Sequence, residues 1–140
     1  MSYVTAAAGL RTALVGLRTA GGLRAVLKGQ PGTGHALPLA FLEADNGIRS
    51  IAGQLTVNTY RIRVSVLVAF QDNVLAEDAL EPWINDLPAA IDADATLGGA
   101  VNIAQVVDWT ADYFDIGEVK TRRAFFTVEI KDKSSYRGGE

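Results

Sequence analysis

Side chains that commonly carry out chemistry are scarce in this chain of 140 residues. It contains one histidine, His35, and no cysteine. A two-histidine metal site and any cysteine-based zinc site therefore cannot be built within one chain, and a histidine-activated nucleophile would have to use His35. His35 lies in a segment rich in glycine and proline, so we interpret it as a solvent-exposed loop residue.

The segment Gly29-Gln30-Pro31-Gly32-Thr33-Gly34 superficially resembles a phosphate-binding loop. It lacks the Gly-Lys-Ser/Thr ending that supplies the charge and the magnesium ligand, and Lys28 precedes the loop. We therefore do not interpret it as a nucleotide site. The loop is expected to be exposed, and its Gln30 and His35 are candidate contacts with a partner protein.

Acidic residues offer a second possible chemistry, in the form of calcium binding or a pair of carboxylates. Oxygen-bearing side chains alternate from Asp92 to Thr96, but the glycine and terminal glutamate of a twelve-residue calcium loop are missing. Four more acids follow, and nothing in the sequence singles out a pair of them for acid–base catalysis: Asp108, Asp112, Asp115 and Glu118. We predict no catalytic residue, no metal site and no cofactor, and hence a protein that is not an enzyme.

Arg61 and Arg63 alternate with apolar residues and are expected on the outward face of a strand. Two interpretations stay open for them. They could form cross-strand ion pairs within the chain, or they could pair with acids of an adjacent subunit. The candidate acids at such a subunit interface are Glu77, Asp78 and Glu81. Trp83 and Trp109 are both predicted to lie in the core, with an interface role as second choice.

The first half of the chain predicts one helix and three strands. Apolar residues at helical spacing predict a helix over residues 3–20, ended by Gly21-Gly22. Short strands are predicted at 23–28 and 37–44. Asn46-Gly47 is a strong signal for a two-residue hairpin turn, and the flanking 45–58 is expected as a loop in which Asn46 and Arg49 could contact a partner. Strict alternation from Tyr60 to Phe70 predicts the central strand. Its second face turns apolar at Leu67 and Ala69 and is expected to be covered there, with a neighbouring subunit as one candidate.

The second half predicts a helix and two strands. Residues 75–92 are amphipathic, but Pro82 and Pro88 predict either a kink or a start at Pro82. Residues 101–109 and 123–131 alternate as strands, and the acidic segment 110–118 between them is predicted to be a hairpin loop.

Together these elements predict an α+β fold with a mixed, mainly antiparallel sheet, an N-terminal helix and a second helix packed on one face. The length and the 49% apolar composition fit one domain over residues 1–132. The polar, glycine-rich residues 133–140 are expected to form a flexible tail. The N-terminal apolar stretch is interrupted by Arg11 and Arg18, so we do not expect a signal peptide, and we expect no membrane span. A net charge of −3 without a basic stripe disfavours tight nucleic-acid binding.

The order of these elements resembles the tail terminator (tail completion) proteins of long-tailed bacteriophages. The similarity covers residues 3–131 and is carried by the strand at 59–69, the Ala/Glu helix from Ala76, the turn Leu97-Gly98-Gly99 and a closing β-hairpin. These features are architectural, and the Leu-Gly-Gly turn is the most specific of them.

The resemblance implies a structural virion protein that forms a homo-oligomeric ring, a hexamer in this family. Such a ring caps the tail tube, contacts the tail tube protein, stops its polymerisation and joins the head-completion or neck proteins. It would be assembled in the host cytoplasm, and DNA would pass through its lumen without specific binding. Two alternatives remain: another neck or head–tail connector component, or a small-molecule-binding or enzymatic α+β domain.

Overall fold

The computed structural model describes residues 3–99 and 101–134 as two helices and one five-stranded sheet. In chain order, the elements are α1 (Tyr3–Gly21), β1 (Ala25–Lys28), β2 (Leu39–Ala52), β3 (Leu55–Ala69), α2 (Asn73–Ala93), β4 (Ile103–Ile116) and β5 (Val119–Ser134). The strands lie in the order β1-β2-β3-β5-β4. Only β1 and β2 are parallel, and the other neighbours are antiparallel. The predicted α+β fold with a mixed, mainly antiparallel sheet is confirmed.

Both helices pack on one face of the sheet and form the main core with it. The predicted inward face of the central strand is confirmed, because Ile62, Val64, Val66 and Val68 are all buried in this core. Helix α1 contributes Leu10 and Leu14, as its helical spacing predicts, and α2 contributes five buried residues: Ala76, Leu80, Trp83, Leu87 and Ile91.

Helix α2 begins well before Pro82, so the predicted start at that proline is wrong. Asp72 caps the helix, its carboxylate accepting a hydrogen bond from the Leu75 N–H at 2.8 Å. The helix continues through both Pro82 and Pro88 to Ala93. The Asp72 cap and the buried apolar stripe outweigh the hydrogen bonds that the prolines cannot donate.

The second face of the sheet is covered at one end by the chain itself. Leu67 is buried there in a small cluster with Leu39, Phe41 and Ile116. No neighbouring subunit is needed to bury Leu67, although Ala69 beyond it is exposed.

Asn46-Gly47 does not form the predicted turn. Both residues lie inside β2, next to a register shift at Asp45, and the chain turns instead at Gly53, whose φ is 62°. A Cβ on Gly47 would lie 2.8 Å from the Thr59 carbonyl oxygen, so glycine is required at this position for a close strand approach and not for a turn. The predicted loop 45–58 is therefore wrong, and these residues form part of a long β-hairpin.

The predicted loop 110–118 is also wrong for most of its length. Strand β4 continues to Ile116 and β5 begins at Val119, so only Gly117 and Glu118 form the turn. A bulge between Val106 and Asp108 breaks the alternation of β4. Near the start of this strand, Ala104 is buried and Val106 partly buried, whereas Ile103 and Val107 are exposed.

The two tryptophans differ in how far they are buried. Trp83 is in the core with 7% of its surface exposed, as predicted, whereas Trp109 is 49% exposed, so its assignment to the core is wrong. Of the predicted tail 133–140, residues 133–134 belong to β5 and residues 135–140 lie outside the described part of the chain.

Candidate functional site

The single histidine does not lie among acidic groups. His35 is exposed and borders a small cavity of about 90 Å³, whose lining contains no carboxylate. The lining residues are Thr33, Gly34, His35, Leu37, Ile116 and Val119. This cavity lacks the converging acid–base groups that hydrolytic chemistry would need.

One of the acids considered for calcium, Asp94, bonds to the backbone. Asp94 ends α2, and its carboxylate accepts a hydrogen bond from the Gly98 N–H at 2.9 Å, which fixes the turn after the helix. Across residues 3–99 and 101–134, no three His, Asp or Glu side chains converge as a metal site would require.

The outward arginines of β3 have different partners. Arg61 pairs with its register partner Glu129 at 3.3 Å, a cross-strand ion pair within the chain, and donates to the Asn46 side-chain oxygen at 3.4 Å. The Arg63 guanidinium lies over the Phe125 ring, 4.6 Å from its centroid. Within the described residues its buried Nε has no hydrogen-bond partner.

Of the three candidate interface acids on α2, one already has a partner in the same chain. Glu77 accepts a hydrogen bond from Arg122 at 2.6 Å, while Asp78 and Glu81 are exposed. Arg123 makes a two-pronged ion pair with Asp112 of β4, with donor–acceptor distances of 2.7 and 2.6 Å. These pairs join β5 to α2 and to β4 and so stiffen one side of the sheet.

The candidate contact residues fall in two regions. Gln30 donates to Glu43 of β2 at 3.2 Å and, like His35, lies in the exposed loop. Asn46 and Arg49 lie on the hairpin, where residues 44–51 and 53–55 are all exposed. We call residues 44–55 the arm.

Strand β4 forms one edge of the sheet and exposes four apolar or aromatic side chains. Its exposed apolar and aromatic residues are Ile103, Val107, Trp109 and Tyr113. No described strand lies beside its outer edge. A long, apolar, unpaired edge strand is a template for pairing with another chain.

The opposite edge of the sheet is open over the arm. Strand β1 pairs only with Leu39–Leu42, so from Glu43 onward β2 has no neighbour on that side among the described strands. Ile48 and Ile51 on the arm are 59% and 48% exposed. The sheet thus has two open edges on opposite sides of the subunit.

A cleft of about 410 Å³ lies where β1 ends and the open part of β2 begins. Its walls come from α1, the end of β1 and the start of the open edge of β2. The residues are Tyr3, Ala7, Arg11, Lys28, Gly29, Leu42, Glu43 and Ala44. Burial raises the pKa of the Tyr3 phenol above its usual value, although the positive charge of Arg11 lowers it.

The strands at both open edges were predicted in part to be loops. The acidic residues of 110–118 and the Asn-Gly pair predicted loops, whereas the aromatic and β-branched residues Tyr113, Phe114, Ile116, Ile48 and Ile51 were the available signals for strands.

Compared with known proteins, the chain matches no family model, and no curated protein shows significant similarity to it. In the described part of the chain, neither helix is both long and apolar enough to cross a membrane.

Proposed function

We propose that this chain is a ring-forming tail terminator subunit of a long-tailed phage, a structural protein whose activity is to assemble. The observation that carries the proposal is the sheet with two open edges, one apolar along β4 and one along the arm. A subunit with two different binding surfaces on opposite sides associates head to tail, and such contacts generate a closed ring when the rotation between neighbours closes. The ring would be a hexamer, as in the family that the sequence resembles.

The chemistry of the site supports assembly over catalysis. The exposed surfaces are strand edges and apolar side chains, and the cavity at His35 contains no acid–base pair. Backbone hydrogen bonding along an edge and burial of isoleucine, valine and tryptophan provide the affinity that a protein–protein contact requires.

The arm supports a contact outside the ring itself. It consists of the open part of β2 and the following turn, and the strand opposite it, β3, is held to the sheet by pairing with β5 up to Ser134. Its exposed Ile48, Arg49 and Ile51 could lie against the tail tube protein on one side of the ring. The opposite side of the ring would then meet the head-completion proteins, with DNA passing through the lumen.

The test of this function is the phenotype of a phage that lacks the chain. A terminator mutant should release tails of excessive length, because nothing stops the polymerisation of the tube. A neck protein mutant should instead give tails of normal length that are not attached to heads. Normal infectious virions would contradict both roles.

A further inference from the structure

We propose that neighbouring copies of this chain join through the two open edges, with Trp109 of one copy entering the cleft beside β2 of the next. The inference rests on the ring-forming function proposed above and specifies the contact that would close the ring. Four features of the described residues support it: the level along the strands, the face of the sheet, the strand direction and the charge of the cleft.

The level of a residue, meaning its position along the direction of the strands, is given by the register of the sheet. Trp109 pairs with Phe126, Phe126 with Val64, and Val64 with Leu42, which pairs in turn with Lys28. Trp109 and Lys28 therefore lie on one rung at opposite edges of the sheet, and Lys28 borders the cleft. We place the ring axis parallel to the strands; a copy rotated about that axis keeps this level, so its cleft would lie opposite Trp109.

The side chain and the cleft lie on the same face. Trp109 is paired with Phe126, which belongs to the core under the helices, so both point to the helical side of the sheet. The cleft lies on that side too, because Tyr3, Ala7 and Arg11 of α1 form one wall. In a continuous sheet, the half-exposed indole would face the neighbouring α1 without any change in strand orientation.

Strand direction allows the two edges to pair. Three successive antiparallel pairings separate β4 from β2, so the two strands are antiparallel within one copy. Rotation about an axis parallel to the strands preserves strand direction, so β4 is also antiparallel to the β2 of the neighbouring copy. Strand β1 of the neighbour blocks pairing below Glu43. The bulge at Val107 bends β4 at the same level, since bulged strands turn away from their neighbours.

Strand β4 and the cleft have charges of opposite sign, although Asp108 pairs with Thr127 and so lies on the face of the sheet away from the cleft. Strand β4 contains three aspartates and no basic residue, and Asp108 and Asp115 are exposed. The cleft is lined by the cations Arg11 and Lys28 and a single acid, Glu43. Pairing β4 with a second β4 would bring like charges together and leave Trp109 without a cavity, so the charges favour a head-to-tail contact.

Disulfide cross-linking tests this contact cleanly because the chain has no cysteine. Ala44 and Val107 are both exposed and lie at the same level of the sheet, since Ala44 aligns through Ile62 and Val128 with Val106. Val107→Cys would be combined in turn with Ala44→Cys, Ile48→Cys and Ser50→Cys, which allows for a stagger between copies. Each single-cysteine variant is its own control.

We expect at least one double variant to form a ladder of covalent oligomers under mild oxidation, while no single variant does. Mixing the two matching single variants should give covalent dimers only, since each bond needs one cysteine of each kind. Efficient dimers from Val107→Cys alone would show a symmetric β4 contact and overturn the proposal. Failure of every pair in a protein whose native mass is that of a ring would overturn this contact and leave the proposed function standing.

Trp109→Ala tests the indole itself. We expect the dissociation constant between subunits to rise at least about tenfold, because aromatic residues in enclosed pockets dominate interface affinity. The matched control is Val74→Ala, which removes an exposed apolar residue at the start of α2 that belongs neither to β4 nor to the arm. Equal association constants for wild type, Trp109→Ala and Val74→Ala would contradict a role for Trp109.

Discussion

Gly47 lies against Thr59 so closely that a Cβ atom at position 47 would come within 2.8 Å of the residue 59 carbonyl oxygen. We expect Gly47→Ala to destabilise the arm by about 1–3 kcal/mol, the usual cost of forcing extra volume into a packed site. Chemical denaturation monitored by circular dichroism measures the change. Gly16→Ala is the matched control: nothing lies within 4 Å of a Cβ there, and alanine in helix α1 should stabilise by up to about 1 kcal/mol. Equal effects of the two substitutions would contradict the close approach.

The Asp72 cap sets the start of α2. Asp72→Ala removes the acceptor of the Leu75 N–H, so the free energy of unfolding should fall by about 1 kcal/mol. Urea titration measures this loss. Asp78→Ala removes an exposed acid further along the same helix and should change stability by less than about 0.5 kcal/mol. A loss with Asp78→Ala as large as with Asp72→Ala would argue against a specific cap.

The two tryptophans should respond in opposite ways to alanine substitution. Trp83→Ala opens a cavity in the main core and should cost about 3–5 kcal/mol of folding stability. Trp109→Ala should cost much less in dilute protein, where association is negligible, because about half of that side chain is already exposed. Denaturation at low concentration separates the two. A loss for Trp109→Ala that matched the loss for Trp83→Ala would place Trp109 in the core.

Ionisation of the Tyr3 phenol should lower the free energy of unfolding at alkaline pH. Burial raises the pKa of this phenol in the folded state above the usual 10.0, so the folded chain holds the proton more tightly than the unfolded chain. The favourable contribution is complete below about pH 10 and is lost as pH rises through the folded pKa. The free energy of unfolding, measured on either side of about pH 10, should fall less steeply for Tyr3→Phe than for wild type. Parallel curves would contradict the burial of the phenol.

The sequence predicted well those elements whose faces are uniformly buried. In α2 and β3, core residues recur at helical or alternating spacing, so Leu80, Trp83, Ile62 and Val64 were placed correctly. Long-range register is not encoded in local spacing. Two ion pairs depend on β5 lying between β3 and β4: Arg61 with Glu129, and Arg123 with Asp112.

The edges were harder to predict, again for physical reasons. Edge strands and arms bury little surface within their own chain, so their sequences lack the apolar alternation that identifies a core strand. The bulge at Val107 shifts the alternation by one residue, so that Val106 before it and Trp109 after it both lie on the core face. Trp109 is nevertheless half exposed because β4 is the edge strand, a position that local sequence does not reveal. The Asn-Gly pair at 46–47 marks a close strand contact, a requirement for glycine that local sequence cannot distinguish from a turn.

The native mass of the purified wild-type chain, measured by size exclusion with light scattering over a range of concentrations, tests ring assembly most directly. We predict a discrete species at six times the 14.9 kDa mass of one chain, with its population rising with concentration. A species that stays at the mass of a single chain up to the highest soluble concentration would contradict a subunit that assembles into a ring through its own edges.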